Sequence, residues 1–308
     1  MLAVVSTSTH VERHHTARAA ATGPCEIVWP LPQRCVAPGD GPLRLDGNFT
    51  IHYGGTSARL GRAVRRYSAI LGYAVANKSV AGPIKALELT VDADDGQDGY
   101  PGWTTNASYT VTVDASGKAT ASAGSIYGAM YAMETFAQML GSSGELNASS
   151  VQVKDWPDRA YRGLMLDTGR RFFPPSLIRA YLDAMSCTKM SVLHMHLTDE
   201  FRWSVESHAF PALTADLEPG EFYTEAELKA LIEYGADRGI RLIPEIDIPA
   251  HASPCMQQLD MAWCSDTTLP AHNACSTSFG TPCPEKTQLY ATTPSPPHLI
   301  GSHRGQFS

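Results

Sequence analysis

The sequence predicts an α/β fold class: an N-terminal α+β unit followed by an incomplete (β/α)8 TIM barrel holding about the first three strands. Three observations carry this. Between Tyr161 and Ser253 three short apolar runs alternate with two helical patterns, the β-α-β-α-β order of a parallel sheet. Each run ends in polar and ionisable residues, and a β/α barrel collects its chemistry at the C-terminal ends of its strands. A complete barrel takes about 250 residues, and the chain from Tyr161 to Ser308 is well short of that.

Residues 1–24 lack periodicity and read as disordered or a targeting remnant. In Ile27-Val-Trp-Pro-Leu-Pro32 each residue before a proline is pushed to extended geometry. From Thr56, the apolar positions Leu60, Ala63, Val64, Tyr67, Ile70 and Leu71 follow helical spacing. Ala86–Val91 and Ser108–Val113 read as strands. Asp114-Ala-Ser-Gly117 turns the second into Lys118–Ala123, a hairpin. A helix over Ser125–Leu140 lines up Ile126, Met130, Met133, Ala137 and Leu140, a stripe that reads as plain core. Gly141-Ser-Ser-Gly144 breaks it, and Val151–Val153 returns as a short strand, placing a boundary near 150–160. The resulting units are 1–24, 25–155 (α+β), 156–290 (partial barrel) and 291–308 (a tail of turn-forming composition read as disordered).

The three barrel runs are Tyr161-Arg-Gly-Leu-Met-Leu-Asp-Thr-Gly-Arg170, Met190-Ser-Val-Leu-His-Met-His-Leu-Thr-Asp199-Glu200 and Ile240-Arg-Leu-Ile-Pro-Glu-Ile-Asp-Ile-Pro-Ala-His251. Pro174-Pro-Ser176 opens the helix after the first, with Leu177, Ile178, Tyr181, Leu182 and Met185 on its apolar face. Thr224-Glu-Ala-Glu227 has capping-box spacing, Leu228, Leu231, Ile232 and Gly235 mark the buried side of the next helix, and Gly239 is its C′ residue. Phe201–Glu221 is a long insertion on the substrate side of the barrel.

A hydrophobic content of 43% with 18% charged residues allows a buried core. The net charge of −7 argues against nucleic acid as the main partner. No apolar run approaches the roughly 20 residues of a membrane span. Of the seven cysteines (25, 35, 187, 255, 264, 275 and 283), none makes a Cys-x-x-Cys pair, so disulfides are the better reading than zinc. Asn-x-Ser/Thr sequons at Asn48, Asn77, Asn106 and Asn147 fit an oxidising compartment. Cys187, ending an apolar helix, reads as a buried free thiol. No convincing signal peptide is present: Met1–Ser6 is too short and His10–Arg18 is basic.

Arg162, Arg170 and Arg171 and the carboxylates Asp167, Asp199, Glu200, Glu245 and Asp247 gather around the three runs. Fixed arginine and carboxylate groups suit a polyhydroxylated ligand, with Trp203 and Phe201 as flat surface for a sugar ring. A purely internal Arg–carboxylate network is the competing reading. His194 and His196 share a strand face, and with His251 they could ligate a metal, the metal-dependent hydrolase alternative.

The segments Trp29-Pro-Leu-Pro-Gln33, Tyr127-Gly-Ala-Met-Tyr-Ala-Met-Glu-Thr-Phe136, Tyr161–Arg170, Leu193-His-Met-His-Leu-Thr-Asp199 and Pro244-Glu-Ile-Asp-Ile-Pro-Ala-His251 together resemble family 20 glycoside hydrolases, the eukaryotic β-N-acetylhexosaminidases. The resemblance covers roughly residues 26–255. It implies removal of terminal N-acetylglucosamine or N-acetylgalactosamine with retention, the substrate's acetamido group acting as nucleophile. It implies that Arg162 grips the outer sugar hydroxyls, and that Asp199, Asp247, His251 and His196 line the pocket or support the catalytic pair. No metal or other cofactor is implied. Partners would be N-acetylhexosamine-terminated glycans and a second subunit in a homo- or heterodimer, in a lysosomal, vacuolar or secreted setting. The family's catalytic Asp-Glu pair lies in a His-x-Gly-Gly-Asp-Glu motif that this sequence lacks, so no catalytic residue is assigned. The expectation is a truncated hexosaminidase, inactive or unstable alone. The alternative is a non-catalytic truncated paralogue that binds glycan or modulates a subunit.

Overall fold

The computed structural model describes residues 23–39, 41–75, 81–92, 99–199, 202–215, 217–248 and 251–252. The expectations for residues 1–22, Asn77, Glu200, Phe201, the cysteines from 255 to 283 and the 291–308 tail lie outside them.

The first unit is a mixed sheet in the order β1-β7-β4-β5-β3-β2-β6. Its strands are β1 (Arg34–Val36), β2 (Leu43–Tyr53), β3 (Ile84–Val91), β4 (Tyr109–Val113), β5 (Ala119–Ala123), β6 (Glu145–Leu146) and β7 (Val151–Asp155). The β4–β5 hairpin is antiparallel as expected, with Val111 opposite Ala121. Gly117 sits in its turn at φ +86°. A short helical turn, α1 (Pro24–Ile27), takes the place of the extended start expected at Ile27, and the Cys25–Cys35 disulfide ties it to β1.

Two helices pack on this sheet, α2 (Ala58–Val75) and α3 (Ile126–Leu140). The Ser125 hydroxyl caps α3 by accepting from the Gly128 N–H at 3.2 Å. On β5, Ala119, Ala121 and Ala123 are buried and small. Gly128 completes the close approach, because a Cβ there would lie 2.7 Å from the Ser108 carbonyl oxygen. The apolar stripe of α3 is core, but burial continues round the helix to Tyr127, Ala129, Tyr131 and Ala132. A helix buried around most of its circumference needs a second cover, and here that cover is the barrel unit. Arg162 donates to the Tyr131 hydroxyl at 2.8 Å and Gln138 Nε2 to the Cys187 carbonyl at 2.8 Å.

The second unit is a parallel sheet, β10-β9-β8, of β8 (Gly163–Asp167), β9 (Val192–His196) and β10 (Arg241–Glu245), joined through α4 (Pro175–Cys187) and α5 (Glu225–Ala236). In-register pairing sets Asp167, His196 and Glu245 side by side at the strand ends. Thr224 and Glu227 form the capping box of α5. Ile240 N–H to Gly235 O (2.9 Å) and Gly239 N–H to Ala236 O (3.0 Å) close its C-terminus as a Schellman motif with Gly239 at C′. Cys187 is exposed rather than buried. Two residues beyond Met185, it points about 200° around the helix from that buried position, away from the Ile178–Leu182–Met185 face.

An ion-pair cluster joins the two units outside the core. Arg59 lies 3.2 Å from Asp237 and 3.1 Å from Glu233, and Arg62 holds Asp237 through two 2.7 Å bonds. No helix among the described residues is long and apolar enough to cross a membrane.

Candidate active site

The loop after β8 is pinned to the end of β9. The Thr168 and Gly169 N–H groups donate to the His196 carbonyl at 2.9 and 3.0 Å, as does the Thr168 hydroxyl at 3.0 Å. Gly169 passes so close to the neighbouring backbone that a Cβ would lie 2.6 Å from the Thr198 carbonyl carbon. This approach delivers Arg170 to Asp199. We expect Gly169→Ala to cost about 1–3 kcal/mol through forced displacement of that loop and of the Arg170 it carries. Denaturant unfolding checks the cost.

Asp199 is the hub. Its side chain is 2% exposed, and Oδ2 faces three basic groups: Arg170 at 3.0 Å, His251 Nδ1 at 3.2 Å and His196 Nε2 at 3.4 Å. Arg170 also bonds Asp167, which fixes the guanidinium from a second side while leaving it about half exposed. His251 adopts a left-handed backbone, φ 52°; strain of this kind collects at functional sites. The Asp247 N–H donates to the Thr198 hydroxyl at 3.0 Å, and Asp247 Oδ2 lies 3.9 Å from His251 Nε2.

Behind the hub, Glu245 Oε2 takes His194 Nε2 at 2.5 Å and His196 Nδ1 at 3.3 Å. Hydrogen bonds from His194 and then His196 hold the Glu245 carboxyl far below the usual range, against the opposing effect of burial. His196 is raised, chiefly by its hydrogen bond to Glu245. A raised histidine contributes stability that is fully present below its ordinary value of about 6.5, and loses it as pH rises through the folded value. Glu245's contribution is present above its ordinary value of about 4.3 and is lost progressively as pH falls below it. The thermal midpoint should therefore fall above about pH 6.5 more steeply in the native chain than in His196→Gln. Equal slopes in a pH series of melts would remove this role from His196.

Asp199, Asp247, His251 and His196 are thus brought together. Arg162 is not with them. It precedes β8, at the opposite end of the strand, and spends its guanidinium on the carbonyls of Lys189, Arg159 and Ala160 and on the Tyr131 hydroxyl. Arg170 stands in the cluster instead. Trp203 is no sugar platform: it is fully buried, bridged through its backbone to Thr198. Two sets, His196–Asp199–His251 and His196–Glu245–Asp247, bring potential metal-ligand atoms within 4.8 Å of one another. Both sets share His196, whose two nitrogens already face the Glu245 and Asp199 carboxylates.

An accessory sheet thus precedes parallel β/α units whose strand ends bring together arginine, carboxylates and histidines. The family model "Glycosyl hydrolase family 20, domain 2" matches residues 26–156, and "Glycosyl hydrolase family 20, catalytic domain" matches residues 160–294. The chain belongs to glycosyl hydrolase family 20. It is 34% identical over 250 residues to the β-hexosaminidase subunit beta of Felis catus, covering 76% of this chain and 46% of that protein. It is 38% identical over 160 residues to a β-hexosaminidase of Emericella nidulans, covering 48% and 26%. Among solved structures, the chitobiase of Flavobacterium johnsoniae superposes with a TM-score of 0.66 at 29% identity, covering 76% of this chain and 37% of that one. The chain spans about a quarter to a half of the length of these curated relatives.

Proposed function

We propose that the chain carries the sugar-holding part of a β-N-acetylhexosaminidase site, which binds a terminal N-acetylglucosamine or N-acetylgalactosamine for retaining, substrate-assisted hydrolysis. The observation that carries this is the buried Asp199 oxygen facing Arg170, His196 and His251 together. Such a cluster offers a sugar fixed charged donors and acceptors at the open end of the strands. Arg170 and Asp199 grip hydroxyls, Asp247 and His251 line the same wall, and Glu245 with His194 and His196 keeps the wall rigid. Hydrolysis also needs a general acid and a carboxylate to orient the acetamido group, and the family's motif for that pair does not occur in these 308 residues. A missing general acid alone costs about 10²–10⁴ in rate.

The 308-residue chain is expected to bind N-acetylglucosamine saturably and to release no nitrophenol from 4-nitrophenyl N-acetyl-β-glucosaminide. Absence of binding in calorimetry would sink the reading; turnover would place a general acid elsewhere in the chain. Pairing as a homo- or heterodimer is part of the same reading, supported by relatives named as subunits. A lysosomal or secreted setting is supported by the Cys25–Cys35 disulfide and by the exposed sequon residues Asn48, Asn106 and Asn147.

A further inference from the structure

A cavity of about 400 Å³ lies between the accessory sheet and the N-terminal end of β8, at the other end of that strand from Asp199. We infer that it is a second sugar site, taking a neutral mono- or disaccharide. Its volume suits such a ligand. Both units line it, with Tyr109 and Asp155 from the accessory sheet and Lys189 from the barrel side.

Lys189 points to the ligand's chemistry. Its side chain is only 6% exposed, yet Nζ makes no hydrogen bond. Three buried ammonium protons without an acceptor are costly to leave so. Its nearest anion, Asp155 Oδ2, stands 3.9 Å away and already accepts from the Tyr109 hydroxyl at 2.5 Å. That gap is too long for a hydrogen bond, and a hydroxyl oxygen about 2.8 Å from each partner would bridge it. Such a hydroxyl accepts from the ammonium and donates to the carboxylate at once. An anion would meet Asp155 and a cation would meet Lys189, so the site selects a neutral polyol. At the mouth, the partly exposed rings of Trp156 and Tyr161 supply flat faces for a pyranose.

The backbone presents this lysine at a cost. Met190 N–H to Met185 O (3.0 Å) and Lys189 N–H to Ser186 O (3.1 Å) close α4 as a Schellman motif, with Lys189 in the left-handed C′ position at φ 54°. Glycine would take that position without strain. Burial also lowers the ammonium pKa to about 8, the behaviour of a group without full compensation.

The test titrates the whole chain with cellobiose by saturation-transfer NMR, alongside Asp199→Asn, Lys189→Met and Trp156→Ala. Binding should persist in Asp199→Asn, which separates this site from the strand-end cluster, and weaken at least tenfold in the other two. Cellobiose should also protect Lys189 from acetic anhydride at pH 8, read by peptide mass spectrometry in the native chain. That readout stands even if Lys189→Met fails to fold. Unchanged binding in Lys189→Met and Trp156→Ala, or labelling of Lys189 indifferent to cellobiose, would mean a cavity holding water alone and would overturn the inference.

Discussion

Asp199→Ala is expected to lower affinity for N-acetylglucosamine about 100-fold, close to the loss of all measurable binding by calorimetry. One oxygen of Asp199 fixes Arg170 and His251 together, and braces His196 behind them. Charge-assisted hydrogen bonds contribute roughly 1.5–3 kcal/mol each. The bonds the sugar would lose, to Asp199 itself and to the displaced Arg170, are about 3 kcal/mol at the low end, or about 100-fold in affinity. The substitution also leaves three basic groups facing one another without their shared anion, so the wall itself should loosen. Asp199→Asn keeps the shape and one acceptor while removing the charge, and should fall between the two. Affinity within threefold of native in the alanine variant would show that the carboxylate serves only the fold.

The second large effect is expected at Asp237, far from the sugar wall. Its carboxylate receives Arg59 and Arg62 of α2, and its carbonyl receives Arg66 at 3.1 Å. Arg59 is 4% exposed, so its charge is buried and depends on its partners. Removing one partner of a buried pair costs about 3–5 kcal/mol. Glu233 remains as a second anion for Arg59, which places Asp237→Ala near 3 kcal/mol, at the low end of that range. Denaturant unfolding followed by tryptophan fluorescence should show the loss. A double-mutant cycle with Arg62→Ala should return a coupling above about 0.5 kcal/mol, because the two share hydrogen bonds. Additive single losses would mean that Arg62 and Asp237 share no energy across this contact.

Much of this architecture was legible in the chain. The barrel strands and the Thr224 capping box rest on local signals, so each appears where its pattern places it. β2 was not legible. Its centre, Asp46-Gly47-Asn48, carries turn chemistry, yet the structure absorbs it as an irregularity in register between Leu45 and Thr50 within one strand. Leu43, Leu45 and Ile51 anchor the two halves in the core, so tertiary burial overrode the local preference. At the site, the carboxylates and histidines were legible because strand ends collect them. The choice between Arg162 and Arg170 was not, because it depends on which end of a five-residue strand each occupies and on the Gly169 approach. Trp203 misled for a related reason: an aromatic in a loop reads as surface until the loop folds back as a bridge to Thr198.

The all-round burial of α3 bears on how such a chain can be cut or recombined. Tyr127 and Tyr131 lie where a side chain at Gly239 would touch them, at 3.6 Å, and Tyr131 also receives Arg162. A barrel separated from residues before about 157 would uncover the underside of its first strands and strand Arg162 without the Tyr131 acceptor. An accessory sheet taken alone would present Tyr127 and Tyr131 of α3 to water, without Arg162 and Gly239 against them. The seam between the two units is therefore a boundary in the sequence but not a place of division in the folded molecule. Gene fusions that graft this sheet onto another barrel would have to bring a matching floor with it.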